Sequence, residues 1–371
     1  MPVRQPRAQN LQLSLEIPST KEPEFRGPDF LIRSGLITTD VFNAYWQFAA
    51  ERQRIFLRRA QGGLPPWTND PILLRYRFTN AYRAADRVSQ FLIRHVQAER
   101  VWSPAALFFR TVLFKLFNRI ETWQLLERSL GTICPQPYRF KDYDRVLTEA
   151  MSEGRRIYSA AYIMPSGGSK SQGQRKHQAH LALLESMLKN DLPSRISDCT
   201  SMKEAFGHLR AYPMIGDFLA YQYVTDLNYS TLTDFPETEF VMPGPGARSG
   251  IRKCFADLGQ YSEADIIQWT VDHQEEEFAK RDIQFRTLWG RPLQLIDCQN
   301  LFCEVDKYAR VRYPEVRGLS DRVRIKQEYR HNTEPIEYWF PPKWGLNEKV
   351  AHWHATLGKG SVVNGCMVAG R

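Results

Sequence analysis

"AYPMIGDFLAYQY" (residues 211–223) places a tight bend directly before apolar residues at helical spacing. Together with the preceding residues 202–210, it predicts a helix, a hairpin at Pro213–Gly216 and a second helix near Asp217. Gly216 permits close backbone approach, and free amides in the first turn of a helix can donate hydrogen bonds to an anion. An ordinary helix–helix turn capped by Asp217 is the alternative interpretation.

Helical periodicity extends outward from this hairpin and dominates from Thr39 to about Arg310, with no internal repeat and few convincing strands. We therefore predict an all-α fold. Residues 1–28 lack periodicity and are expected to form a flexible leader. The helical domain is predicted at 29–310, with a basic loop at 165–176. Residues 311–371 are expected to form a C-terminal extension whose Gly-rich tail frays.

The composition favours a polyanionic partner. The 371 residues include 50 Lys and Arg against 41 Asp and Glu, a net charge of +9. The six cysteines are scattered without metal-finger spacing, which fits a reduced cytosol, and no apolar run is long enough to cross a bilayer. We expect a cytoplasmic bacterial monomer that binds DNA, without a membrane, a metal or a cofactor.

Two segments could bind DNA phosphates. In the hairpin, the candidates are Ile215, Gly216 and Asp217. "PGPGARSGIRK" (residues 243–253) is a Gly-rich turn that leads into a helix, where backbone amides and guanidinium groups could hold phosphates of DNA or of a nucleotide. Its candidates are Gly246, Arg248, Arg252 and Lys253. No predicted strand precedes this turn, so it favours neither a Rossmann nor a Walker site.

The bend resembles the hairpin of helix-hairpin-helix DNA glycosylases, with Met214 where that family has its first hairpin glycine. The resemblance implies two helical lobes around a cleft and a carboxylate that stabilises positive charge on the sugar or activates water. Glu239 is the best match for that carboxylate, and Asp234 and Glu237 are rivals. Phe218 stands where bifunctional relatives carry a lysine, which implies a monofunctional enzyme.

A closer resemblance covers residues from about Tyr45 to Arg310. The blocks "YWQFAAERQRIF", "FTNAYRAADRVSQFLI", "IGDFLAYQYVTDLNYS" and "LIDCQNLFCEVDKYAR" are similar to the alpha-glutamyl/putrescinyl thymine pyrophosphorylase family. That family is related to the helical domain of 5-hydroxymethyl-deoxyuridine DNA kinases and is associated with hypermodified bases in phage DNA. It includes anti-phage glycosylases that excise glucosylated hydroxymethylcytosine. The resemblance implies a helix-hairpin-helix glycosylase-like fold without identifying the base.

A glycosylase needs a pocket for a base that has left the stack. Polar and aromatic residues on the loop "PPWTNDPIL", on "FTNAYRAADR" and inside two apolar helices could read a large modified base. The candidates are Trp67, Asp70, Asn80, Tyr82, Arg83, Asn118 and Asp226. The alternatives are that Trp67 fills the core, that Arg83 forms an ion pair with Asp86 on a helix face, and that Asp226 caps its helix.

These observations together predict a monofunctional DNA glycosylase. It would flip a hydroxymethylated or glucosylated pyrimidine out of double-stranded phage DNA and hydrolyse its N-glycosidic bond, leaving an abasic site in anti-phage defence. A first alternative is a biosynthetic enzyme, a pyrophosphorylase or a kinase-associated protein, that activates or replaces the 5-substituent of a hydroxymethylpyrimidine. A second alternative is a non-catalytic DNA-binding module with a steep salt dependence.

Overall fold

The computed structural model describes residues 36–166, 175–332 and 336–360. The predicted leader, most of the predicted basic loop and the predicted frayed tail lie outside the described residues. Helices dominate the described part of the chain, which confirms the all-α prediction in its general form. The strands described are two short ones, β1 (Ile37–Thr38) and β2 (Phe255–Asp257), paired antiparallel with Ile37 opposite Asp257.

The first half of the chain contains helices α1 (Asp40–Ala60), α2 (Pro71–Arg75), α3 (Arg87–Phe91), α4 (Pro104–Phe117), α5 (Ile120–Leu130), α6 (Phe140–Ser152) and α7 (Lys176–Lys189). A π-helical segment, Leu92–Gln97, follows α3. The second half contains α8 (Leu192–Ser197), α9 (Met202–Arg210), α10 (Asp217–Asn228), α11 (Pro245–Cys254), α12 (Glu263–Asp272), α13 (Gln274–Ala279), α14 (Leu295–Arg312) and α15 (Asn347–Gly360). None of these helices combines the length and apolar character that spanning a membrane requires.

Helix α4 is the most deeply buried helix next to the site described below. It begins after Ser103, whose hydroxyl accepts a hydrogen bond from the Ala106 amide, with Pro104 in its first turn. Every residue from Ala106 to Phe117 is buried. The helix ends at Asn118, which has φ +47°. Asparagine tolerates this left-handed conformation better than most residues, so the helix stops there.

The opening stretch forms two helices, α9 and α10, joined by residues 211–216, as the sequence predicts. Met214 stands in the left-handed region at φ +66°, at the position where the hairpin that the sequence resembles carries glycine. Ile215 is buried under the turn, and its amide donates to the Tyr212 carbonyl at 3.3 Å. The turn is thus held by local hydrogen bonding and by burial of one apolar side chain.

The C-terminal extension packs onto the helical body. Residues 327–329 pair with residues 75–77, because the Arg77 amide donates to Gln327 (3.0 Å) and the Tyr329 amide donates to Arg75 (2.9 Å). Farther along, Phe340 is fully buried, with its ring centroid 5.7 Å from that of Trp289. Buried side chains of the extension therefore join the same connected core as the helices.

Candidate functional site

A cavity of about 650 Å³ opens between α1, the end of α4, the segment 65–80 and the C-terminal extension. This volume lies within the ordinary range for small-molecule and nucleotide sites. Its wall includes the aromatic side chains of Trp67, Tyr162, Tyr329 and Tyr338. Rings of this kind provide flat surfaces on which a planar ligand can stack.

A buried ion cluster forms the floor of the cavity. Asp226 in the last turn of α10 is fully buried and accepts two hydrogen bonds from the Arg83 guanidinium, at 2.6 and 2.9 Å. The Lys115 ammonium lies 3.0 Å from the second carboxylate oxygen. Burial alone would raise the pKa of Asp226, but the two cations hold it below its ordinary value. Burial lowers the pKa of Lys115 to about 8, although Asp226 opposes that shift.

Asn118 lies beside this cluster and faces the cavity. Its side-chain oxygen accepts a hydrogen bond from the Lys115 ammonium at 2.9 Å, and only 4% of the residue is exposed. Its Nδ2 group donates to none of the described residues. Above it, the Tyr162 ring lies 4.3 Å from the Lys115 ammonium. An amide with an unused donor at the bottom of a cavity is suited to a polar ligand.

The opposite wall carries an arginine and an acid. The Arg52 guanidinium donates to the Thr79 carbonyl (2.7 Å) and to the Asn80 side-chain oxygen (3.3 Å). The Asp86 carboxylate accepts a hydrogen bond from the backbone amide of Asn80 at 2.8 Å. Burial raises the pKa of Asp86 to about 7, because the Asn80 hydrogen bond and the charge of Arg52 offset it only in part. This carboxyl therefore changes charge near neutral pH.

The cavity brings together four of the seven side chains predicted for a base pocket, Trp67, Asn80, Asn118 and Asp226. Of these, Asp226 is bound to Arg83 and Lys115, and the Trp67 indole donates to the Gly63 carbonyl at 2.6 Å. The other three lie outside its lining. Asp70 caps α2 and accepts a hydrogen bond from the Tyr308 hydroxyl. The buried Tyr82 donates a hydrogen bond to the Arg291 carbonyl. Arg83 is hydrogen-bonded to Asp226 but does not line the cavity itself.

The predicted phosphate-binding residues of the hairpin are only partly accessible. Ile215 is buried, so its side chain cannot reach a ligand. Gly216 is exposed as the residue before α10, but no charged side chain of the hairpin is free beside it, since Asp217 forms an ion pair with Arg210. A DNA contact here would depend on the first backbone amides of α10 alone.

The predicted phosphate-binding residues of the Gly-rich turn contact other protein groups. Lys253 is buried, and its ammonium lies 3.1 Å from the Asp306 carboxylate. Arg248 and Arg252 lie within 3.8 and 3.3 Å of the Glu263 carboxylate. Gly246 lies against α14, where an added Cβ would fall 2.3 Å from the Cys303 sulfur. The residues of this motif are thus engaged in helix packing and ion pairs.

The carboxylates predicted to be catalytic lie away from the cavity lining. Glu239 is exposed on the connection between α10 and α11. The Asp234 side chain is 86% exposed and lies 3.3 Å from the Lys343 ammonium. Glu237 is committed to Arg291 at 2.9 Å and to the Trp344 indole at 2.7 Å. Two of the three carboxylates are thus exposed, and the third is engaged by protein groups.

Several cavity residues were not predicted from the sequence, namely Arg52, Lys115, Tyr162, Tyr329 and Tyr338. Lys115 had a readable signal, because it is a charged residue inside the apolar run "ALFFRTVLFKLF". Asn118, which directly follows this run, carries a similar signal. The tyrosines of the C-terminal extension had no comparable signal, because residue type alone does not distinguish an exposed tyrosine from one that lines a cavity.

Comparison with known proteins supports the predicted family and contradicts the predicted activity. The family described as "5-hmdU DNA kinase, helical domain" matches residues 39–318. A 5-hmdU DNA kinase of Bacillus phage SP10 is 26% identical over 326 residues, which cover 81% of this chain and 50% of the relative. The chain therefore spans about half the length of this curated relative. No solved structure gives a significant match.

These matches contradict the prediction of a DNA glycosylase. Both are named for a DNA kinase rather than for a hydrolase that excises bases in anti-phage defence. The exposed positions of Glu239 and Asp234 agree with that correction. The general part of the resemblance is confirmed, because the family match covers about three quarters of the chain. This chain belongs to the 5-hmdU DNA kinase helical-domain family.

Proposed function

We propose that this chain binds a 5-hydroxymethylated pyrimidine of DNA in the cavity, where the 5-substituent is activated or replaced during hypermodification. Support comes from the family and from the relative named as a kinase of 5-hmdU in DNA. The chain has no Walker-type sequence for a nucleoside triphosphate. We therefore assign to this chain the binding of the DNA base and not the binding of the nucleoside triphosphate.

The observation that carries the proposal is the floor of the cavity. Asn118 has an unused amide donor there, and Lys115 and Asp226 lie beside it in a space of nucleotide size. A base that leaves the DNA stack is usually held by hydrogen bonds to its polar edge and by stacking on side chains. The Asn118 amide can donate to a pyrimidine carbonyl, and Tyr162 provides a ring next to it.

The charge of the wall fits a substituent that bears phosphate. Basic side chains outnumber acidic ones among the lining residues by six to three. The basic ones are Arg52, Arg59, Arg77, Arg87, Lys115 and Arg330, and the acidic ones are Asp86, Asp226 and Glu328. Because Asp226 is neutralised by two cations, the remaining balance is positive. Such a site stabilises a phosphoryl or pyrophosphoryl group on the 5-methylene carbon.

The proposal is tested by binding of the full chain to duplex oligonucleotides that differ at one nucleotide. That nucleotide is thymine, 5-hydroxymethyluracil or phosphorylated 5-hydroxymethyluracil. We expect tighter binding to the two modified duplexes. Lys115→Met should remove most of the preference, because the variant lacks the cation on the cavity floor. One charge-assisted hydrogen bond corresponds to about 1.5–3 kcal/mol, which is roughly a 10- to 100-fold change in affinity.

Lys253→Met is the matched control, since Lys253 is an equally buried lysine paired with an aspartate but lies outside the cavity lining. Thermal unfolding of both variants separates a binding defect from a folding defect. Equal affinity of the wild-type chain for all three duplexes would contradict the proposal. An unaltered preference in a folded Lys115→Met variant would contradict the role that we assign to the cavity floor in recognising the modified nucleotide.

A further inference from the structure

A basic groove lies next to the cavity, and the proposed function gives no role to its residues Arg75, Arg324 and Lys326. Its lining includes Arg75 at the end of α2, Val311 in α14 and the segment 323–330. The sequence of that segment, "DRVRIKQEYR" at 321–330, carries charged residues at every second position from Arg322 to Arg330. In an extended chain, alternate side chains share one face.

Pairing with residues 75–77 fixes the end of this segment. The two backbone hydrogen bonds of Arg77 to Gln327 and of Tyr329 to Arg75 hold it against the chain after α2. Ile325 is 9% exposed and points into the body, whereas Arg324 and Lys326 on either side of it are exposed. The alternation therefore places a row of cations toward solvent.

These cations have no acidic partner in the described part of the chain. Arg75, Arg324, Lys326 and Arg330 all line the groove, and none of them forms an ion pair with a described residue. Glu328 is the single acid among the lining residues. Four positive charges in one groove repel one another unless an anionic partner or salt compensates them.

The groove shares part of its lining with the cavity. Tyr76, Glu328 and Arg330 contribute to the lining of both. Alternate residues of an extended segment are about 6.8 Å apart, which is comparable to the separation of successive phosphates on one DNA strand. A strand whose nucleotide enters the cavity must continue past its mouth, and the groove is where basic side chains lie in a row.

We propose that this groove binds the phosphates of the DNA strand flanking the nucleotide held in the cavity. The inference rests on the proposed function for the identity of that nucleotide. It assigns the backbone contact to residues 322–330 and Arg75 instead of to the hairpin or the Gly-rich turn, whose charged side chains are paired with protein groups.

The test combines Arg324→Gln with Lys326→Gln in the full chain and measures duplex affinity between 50 and 200 mM salt. Each lost phosphate contact lowers the slope of log affinity against log salt by about 0.7–0.9. We expect the slope to fall by about 1.4–1.8 and the affinity at 100 mM salt to fall on the order of 10- to 100-fold. Both losses should be equal for modified and unmodified duplexes, because phosphates carry no base information.

Arg128→Gln with Lys141→Gln removes the same charge from exposed positions on α5 and α6 and serves as the control. An unchanged slope in the groove variant, or an equal loss in the control, would overturn the inference. The proposed function is judged separately, by the preference of the wild-type chain for the modified duplexes. If that preference is absent while the groove variant still has a lower salt slope, the inference about the groove is supported and the assignment of the bound nucleotide is wrong.

Discussion

Asp86 is the residue of the cavity whose charge depends most directly on pH near neutrality. Burial raises its pKa to about 7, well above the ordinary value of an aspartate, so the carboxyl is largely neutral below that pH and anionic above it. It lies in the same wall as Arg52 and Asn80. As the pH rises through about 7, the wall gains a negative charge that repels a phosphate-bearing nucleotide.

We therefore expect the affinity for a duplex with phosphorylated 5-hydroxymethyluracil to fall severalfold, through Asp86, between about pH 6 and pH 8. The phosphate itself gains charge over this range, so the informative quantity is the ratio of wild-type affinity to that of Asp86→Asn. That ratio should decrease as the pH rises, because only the wild-type chain acquires the new charge. A ratio independent of pH would show that Asp86 does not face the bound phosphate.

Individual polar residues were predictable where they interrupt an apolar run. Asn118 was singled out because a buried amide in such a run needs partners, and the structure places it at the cavity floor. Asp70 and Tyr82 were predicted from their residue type alone, but one caps α2 and the other donates to a distant backbone carbonyl. Sequence does not reveal which polar group is satisfied by a partner 209 positions away.

At the scale of elements, glycines in the helix α11 serve close packing. The sequence predicts that the Gly-rich turn at 243–253 could bind phosphate, since such turns can bring backbone amides near an anion. In the structure, an added Cβ at Gly250 would lie 1.9 Å from the Phe302 carbonyl oxygen of α14. The two helices approach so closely because this position has no side chain.

Gly250→Ala is therefore expected to destabilise the chain by roughly 2 kcal/mol or more, because a backbone atom stands where the methyl group would go. Gly207→Ala is the matched comparison within another helix, α9, where no atom lies within 4 Å of the added Cβ. It should raise the free energy of unfolding by about 0.5–1 kcal/mol, since alanine is the better helix former. Denaturant unfolding measures both. Equal effects of the two substitutions would show that α11 and α14 can separate without cost.

At the scale of the whole molecule, the part outside the family match completes the site. The match ends at residue 318, and the cavity wall and the basic groove both include later residues. The helical class of the chain was predictable, because apolar residues recur at three and four positions over long segments. The packing of residues 319–360 was not, since irregular segments are fixed by contacts with distant residues, such as Phe340 with Trp289.

Ending the chain after Gly318 should consequently abolish selective DNA binding. The shortened chain would lose Tyr329 and Tyr338 from the cavity wall and the row of cations from the groove. It would also expose the apolar surface beneath Phe340, so we expect a lower unfolding temperature. A chain ended after Gly360 is the matched control, because the residues that line the cavity and the groove all precede that position.

Tyr338→Ala distinguishes loss of the wall from loss of the whole extension. Tyr338 lines the cavity, and its ring centroid lies 5.0 Å from that of Phe56 in α1. Because an aromatic contact to a base is worth about 1–3 kcal/mol, this variant should bind the modified duplexes roughly 5- to 100-fold more weakly. Its salt slope should equal that of the wild-type chain, since the groove is intact. Selective binding by the chain that ends at Gly318, with wild-type affinity, would mean that the nucleotide is held elsewhere.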